Sequence, residues 1–217
     1  MSLRKSLATI ALVGLVSMAS TQAANAAVIL TMGQSGQANT VTATNIGGVS
    51  TTITATNVPI DITQIIAGAT GPAFFTLNAA SSGAATTSSN NVTQNFSGTF
   101  SITNGATNFL SGSFSDAVFG ALGGPSLTLS ASQPPDTVSF NSNVIPVGLL
   151  GLSRGISLGF ANVTPLVGIT GTSLSSFTSS VAGTFSANVG VVPEPASLLL
   201  LGSGLAALAA RARRQKA

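Results

Sequence analysis

The sequence predicts an all-β fold: a two-sheet antiparallel β-sandwich of about ten strands, flanked by an N-terminal signal helix and a C-terminal transmembrane helix. Three observations predict it. Gly and Pro punctuate the region 27–192 at short intervals among β-branched, aromatic and small residues. Apolar and hydroxyl residues alternate there with period two. The two long apolar runs lie outside it, one at each end of the chain.

The first element reads as an export signal. Arg4 and Lys5 form a short positive region, and Leu7 to Met18 is an apolar stretch of 12 residues. Small residues follow. Ala24-Asn25-Ala26 fits the small-x-small pattern that a signal peptidase reads, with the cut before Ala27. The segment 1–26 is therefore a signal peptide, too short to span a bilayer comfortably.

The second element, 27–190, is the β-sandwich domain. Ser, Thr and Asn make up 61 of the 166 residues from Ala27 to Val192, a share that in other chains signals disorder. All 11 Phe also lie there and net charge is small, so a packed core is expected. Val28–Met32 opens the domain. Thr40–Asn45 and Ser50–Asn57 flank Gly47-Gly48 as a hairpin. Pro59 argues against continuation, so Asp61–Ala67 is a separate strand. Phe74–Leu77 is short, and Ala79–Asn91 reads as a flexible loop. Val92–Thr103 and Asn108–Phe119 are joined by the turn Asn104-Gly105. Ser126–Ser130, Thr137–Asn143, Gly155–Val163 and Ser173–Val189 complete the set.

Alternation is clearest in three places. Phe96, Gly98, Phe100 and Ile102 share one face against Ser97, Thr99, Ser101 and Thr103. Leu110, Gly112 and Phe114 repeat the pattern, as do Val181, Gly183 and Phe185. The shared order is apolar, small, Gly, hydroxyl, Phe, Ser. It has no fixed period, so it does not signal a solenoid. It predicts three neighbouring strands whose central Gly lets a facing aromatic ring pack closely.

The third element is 191–217. Val191-Val192-Pro193-Glu194-Pro195 precedes a 15-residue run of Ala, Leu, Gly and Ser from Ala196 to Ala210. Arg211, Arg213, Arg214 and Lys216 follow at once. This positive cluster favours a cytoplasmic end. Pro193 and Pro195 bar helix up to the membrane edge and leave that segment extended. Pro-Glu-Pro, apolar helix and Arg cluster, in that order, resemble the PEP-CTERM sorting signal of bacterial exported proteins. The resemblance implies a membrane-embedded exosortase as partner, cleavage near Pro193, Glu194 and Pro195, and a role at the cell surface or in extracellular polymer.

Charge supports this division. The chain of 217 residues has a formal net charge of +3, with 7 Lys+Arg and 4 Asp+Glu. Its pI near 10.8 would ordinarily raise nucleic acid as a partner. Six of the seven bases, however, lie in the terminal segments. From Ala27 to Val192 there is one base, Arg154, against Asp61, Asp116 and Asp136. No basic patch there can neutralise phosphates, so nucleic acid is not an expected partner.

The interior also lacks the usual catalytic groups. The chain has no His, Cys, Trp or Tyr. This removes the Ser-His-Asp triad, the Cys nucleophile, structural disulfides and the common zinc sites. No cofactor and no metal are expected: scattered single Asp residues make a weak Ca²⁺ site. Asp116 or Asp136 would have to carry any glycan hydrolysis. Thr40, Thr42 and Thr44, and Thr52, Thr54 and Thr56, form Thr ladders of the kind seen on ice-binding surfaces, or simply a solvated hairpin face.

The expected function is that of an exported, non-catalytic surface or matrix protein, anchored by its tail helix until processed. Alternatives are a carbohydrate-binding module of the extracellular polymer and, further off, a glycan hydrolase or ice-binding protein. Extracellular polysaccharide and a second copy of the chain are the candidate partners of the mature domain. Its sheet edges have no Lys to discourage pairing.

Overall fold

A computed structural model describes residues 26–36 and 39–188. The expected signal helix and transmembrane helix lie outside these residues. Among the described residues no helix is long and apolar enough to cross a membrane.

Among the described residues thirteen strands carry the fold: β1 (Ala26–Gln34), β2 (Val41–Ile46), β3 (Ser50–Ile65), β4 (Gly71–Ser81), β5 (Thr86–Ser88), β6 (Asn91–Asn104), β7 (Thr107–Ala121), β8 (Leu127–Ser132), β9 (Thr137–Val138), β10 (Gly155–Thr164), β11 (Ile169–Thr170), β12 (Ser173–Leu174) and β13 (Phe177–Asn188). Their pairings are antiparallel. The sequence reading of an all-β antiparallel domain stands.

The arrangement is a closed ring rather than two separate sheets. Hydrogen-bonded neighbours run β6-β4-β3-β1-β13-β10-β8-β7, and β7 pairs again with β6. β2 shares the slot of β1, pairing with β13 and β3 beyond the reach of β1. β5 extends the place of β4 beside β6, and β9 extends that of β8 beside β7. This corrects the expected two-sheet sandwich. A sandwich and a barrel impose the same inward-outward alternation, and differ only in whether the outermost strands pair. Here β6 and β7 pair along their whole length, from Asn91↔Ala121 to Asn104↔Thr107. The ring therefore lacks the open edges on which the expectation of a second copy rested.

The predicted alternation fills the interior. Phe96, Phe100 and Ile102 of β6, Leu110 and Phe114 of β7, and Val181 and Phe185 of β13 are buried. Ser97 and Thr99 face outward. Apolar inside and hydroxyl outside is the reverse of a transmembrane barrel. Phe100 stacks on Phe185 with centroids 5.0 Å apart, and Phe140 meets both edge-on at 6.1 and 6.3 Å. β6 and β13 stand opposite each other in the ring, so this aromatic cluster crosses the interior.

The Gly-Phe echo has a structural cause on two of its three strands. Gly98 pairs with Phe114 and Phe100 pairs with Gly112, a reciprocal exchange between β6 and β7. A Cβ on Gly112 would lie 3.1 Å from the Phe100 ring and would run into the Ser139 carbonyl. The third copy lies on β13, across the ring rather than beside the other two. There Gly183 makes room for Met32 and Leu158.

Several boundaries differ from expectation. β3 runs through Pro59 without a break. It pairs with β2 as far as Thr54 and with β1 from Ile60 onward. Pro59 stands in the gap between these partners, and its carbonyl accepts the Ser35 N–H at 2.9 Å. The side that would carry its N–H is thus the side on which the β1 ladder ends. β4 extends from Gly71 to Ser81, and β5 forms inside the expected loop 79–91. The strand expected at 137–143 shrinks to β9, and that at 173–189 divides into β12 and β13.

Candidate functional site: the end of the barrel that carries both chain ends

First and last strands are neighbours. Ala26 of β1 faces Asn188 of β13, and Ala27 faces Ala187. The chain therefore enters and leaves the described domain at one end of the ring. Ala26 and Ala27, expected to flank the signal-peptidase cut, lie in this ladder. Ala24, the sorting residues Pro193, Glu194 and Pro195, and the cluster Arg211, Arg213, Arg214 and Lys216 lie outside the described residues.

The segment from Ser142 to Arg154 closes this end. The Ser142 hydroxyl donates to the Phe109 carbonyl at 2.7 Å and accepts the N–H groups of Val144 and Ile145 at 3.0 and 2.8 Å. A 3-10 turn follows at Val147–Leu149, set up by Pro146. The segment then splits its apolar residues. Ile145 and Leu150 are buried in the core, whereas Val147 is 88% and Leu152 69% exposed. Gly151 between them has no room for a Cβ, which would strike the Asn188 carbonyl. The Leu152 carbonyl accepts the Asn188 N–H at 3.2 Å, tying the segment to the end of β13.

The turn after β3 lies alongside. The Ile66 N–H donates to the Ile29 carbonyl of β1 at 2.9 Å. Val144 packs so closely over Gly68 that a Cβ there would sit 2.5 Å from it. Ile66 itself is exposed, as is Val28 on β1. Four large apolar side chains thus face outward around Ala26 and Asn188.

The charged candidates do not converge. Asp61 is exposed on β3. Asp116 lies on β7, its backbone opposite Phe96. Asp136 sits in the turn after β8, where its carboxylate accepts the Ser132 N–H at 2.9 Å. Arg154 donates from Nε and Nη2 to the Leu150 carbonyl at 3.0 and 2.8 Å, and from Nη1 to the Val138 carbonyl at 3.4 Å. Its guanidinium clamps the closing segment. Among the described residues no group of three or more acidic, His or Cys side chains could hold a metal.

Thr42, Thr44, Thr52, Thr54 and Thr56 face outward as one patch, with Thr42 paired to Thr54 and Thr44 to Thr52, whereas the Thr40 hydroxyl is buried. A shallow groove on the outer wall is lined by Ser130, Ser132, Ser157, Thr184 and Ser186 together with Ala131, Gly155 and Ile156. Neither includes an aromatic ring. Among the described side chains Phe74 is the one markedly exposed aromatic.

One buried polar cluster was missed. At the opposite end of the barrel the Gln94 amide donates to Ser173 Oγ at 2.7 Å and to the Gly83 carbonyl at 2.8 Å, and accepts the Leu174 N–H at 3.0 Å. Thr51 donates to the Leu174 carbonyl, so Ser173 donates to Thr51 over 2.7 Å. The bonds to Ser173 and Leu174 lock the β11–β12 hairpin onto the barrel, and the bond to Gly83 holds the loop between β4 and β5. The signal was present: Gln94 holds an inward position between Val92 and Phe96, where a polar side chain must find partners.

Comparison with known proteins adds one match. Residues 191–214 fit the family model of the PEP-CTERM protein-sorting motif. The curated proteins and the solved structures give no match. The motif begins three residues after Asn188, the last residue of β13.

Proposed function

We propose that this is an exported, non-catalytic surface or extracellular-matrix protein. It is cut before Ala27 by a signal peptidase and held at the membrane by the segment 196–210. An exosortase then sorts it through Pro193, Glu194 and Pro195. The observation that carries the reading is the sorting-motif match at 191–214. The barrel adds support of a different kind. Its outer wall is hydroxyl-rich and nearly uncharged, Asp136 serves a turn, and Arg154 serves as a clamp.

The test is intact-mass measurement of the native protein beside a form lacking Pro193 to Ala217. Loss of processing and of surface retention in the shortened form is the expected result. Unchanged processing and retention would overturn the sorting role.

A second reading, a carbohydrate-binding module, draws on the hydroxyl groove and the Thr42–Thr54 patch. Retention on polysaccharide columns would favour it. The scarcity of exposed aromatic rings weighs against it, since ring stacking supplies much of the contact area in such sites.

A further inference from the structure

The geometry points to a lipid-seating surface: the barrel end bearing Ala26 and Asn188 rests on the bilayer that holds the tail, with Ile66, Val147 and Leu152 against the lipid. The inference rests on the tail-anchored reading above and specifies how the anchored protein sits.

The length of the tether argues for it. Seven residues, 189–195, separate Asn188 from the apolar run that starts at Ala196. Eight residue steps span at most about 28 Å when fully extended. The barrel end at Asn188 is therefore confined near the membrane surface, while the Gln94 end is a full strand length further away. Confinement raises the local concentration of this face against lipid, as a short linker does for any second contact.

The face is built for that contact. Val147 and Leu152 point outward from a segment that is itself held rigid by Ser142, Arg154 and the Asn188 backbone bond. Ile145 and Leu150 anchor the same segment inward. Outward placement of two large side chains on a pinned loop leaves apolar area in water with no internal partner. Among the described residues the charges near this face are Arg154 and Asp136, one of each sign, and both are committed to backbone groups. Lipid contact therefore meets no net repulsion. Ile46, Val49 and Leu166 are also exposed, but at the other end of the barrel, away from where the tether begins.

The chain has no cysteine, so single introduced cysteines report cleanly. The full chain is reconstituted into phosphatidylethanolamine–phosphatidylglycerol vesicles, with an environment-sensitive fluorophore at Val147→Cys, Leu152→Cys, Ile66→Cys or, as control, Leu166→Cys. Brominated acyl chains should quench the labels at 147, 152 and 66 and leave that at 166 bright. In Val147→Glu/Leu152→Glu, the label at 66 should lose its quenching while the thermal transition stays in place. Persistent quenching at 66 in that variant would overturn the role of Val147 and Leu152. Flotation with the vesicles but equal brightness at all four positions would overturn the seating alone. Failure to float would overturn the tail-anchored reading and the seating with it.

Discussion

Phe100 and Phe185, on strands that stand opposite each other in the ring, stack at 5.0 Å with their planes 29° apart. The contact joins the two walls of the barrel directly. Both rings are buried, and Phe140 packs edge-on against each. Replacing Phe185 by Ala removes the stack and leaves a void at the centre. The expected cost is about 3–5 kcal/mol, read as a lower denaturant midpoint. Phe185→Leu should retain much of that stability.

Gly112 gives a second test. Its neighbours on either side, the Phe100 ring and the Ser139 carbonyl, leave no volume for a methyl group. Gly112→Ala should destabilise by roughly 1–3 kcal/mol, because strand backbone rather than a flexible side chain must move. An equal melting temperature for the two proteins would remove the packing explanation of the echo.

Gln94→Ala should break the polar cluster. It strips a partner from the Leu174 N–H and from the Gly83 carbonyl, and leaves Ser173 underbonded. The expected loss is about 1–3 kcal/mol per buried group left unpaired. Hydrogen exchange should speed up first at Leu174, where the hairpin is held.

Pro59→Ala should be mild despite its place in a 16-residue strand. The Ser35 carbonyl, opposite Pro59 in the continued β1–β3 register, can accept the restored N–H, and the change otherwise acts chiefly on the unfolded chain, at about 0.4–1 kcal/mol. A larger loss in thermal unfolding would show that Pro59 has a packing role.

Ring closure yields a prediction about association. Edge strands drive pairing between chains, and here β6 and β7 close on each other. The domain 27–190 should sediment as a monomer over a wide range of concentration and salt. Salt-insensitive dimers would locate a contact on the outer wall or at the exposed apolar ends.

Much of the fold was legible because alternation is a local property. The inward set Phe96, Phe100, Ile102, Leu110, Phe114, Val181 and Phe185 could be read directly from period two. The turn at Asn104-Gly105 was equally local, with Gly105 at a φ of 58°. Closure was not legible, since the pairing of β1 with β13 joins residues about as far apart as the domain allows. The passage of β3 through Pro59 was hidden for a related reason: it depends on where β2 stops and β1 begins. At the candidate site, the C-terminal sorting motif could be read from composition and order. The exposure of Val147 and Leu152 could not, because apolar residues alternate inward and outward along that segment without a strand to mark them.

The junction of Ala26 with Asn188 also fixes an order of events. β1 is the first strand to be synthesised and β13 the last, and the ring has no other way to fill the place between β3 and β10. Such long-range pairing waits on the whole intervening chain. The barrel cannot close until the final strand is available. The tail motif follows that strand by three residues, so the signal for sorting arrives together with the piece that completes the fold. A chain truncated before β13 would lack both its closing strand and its address.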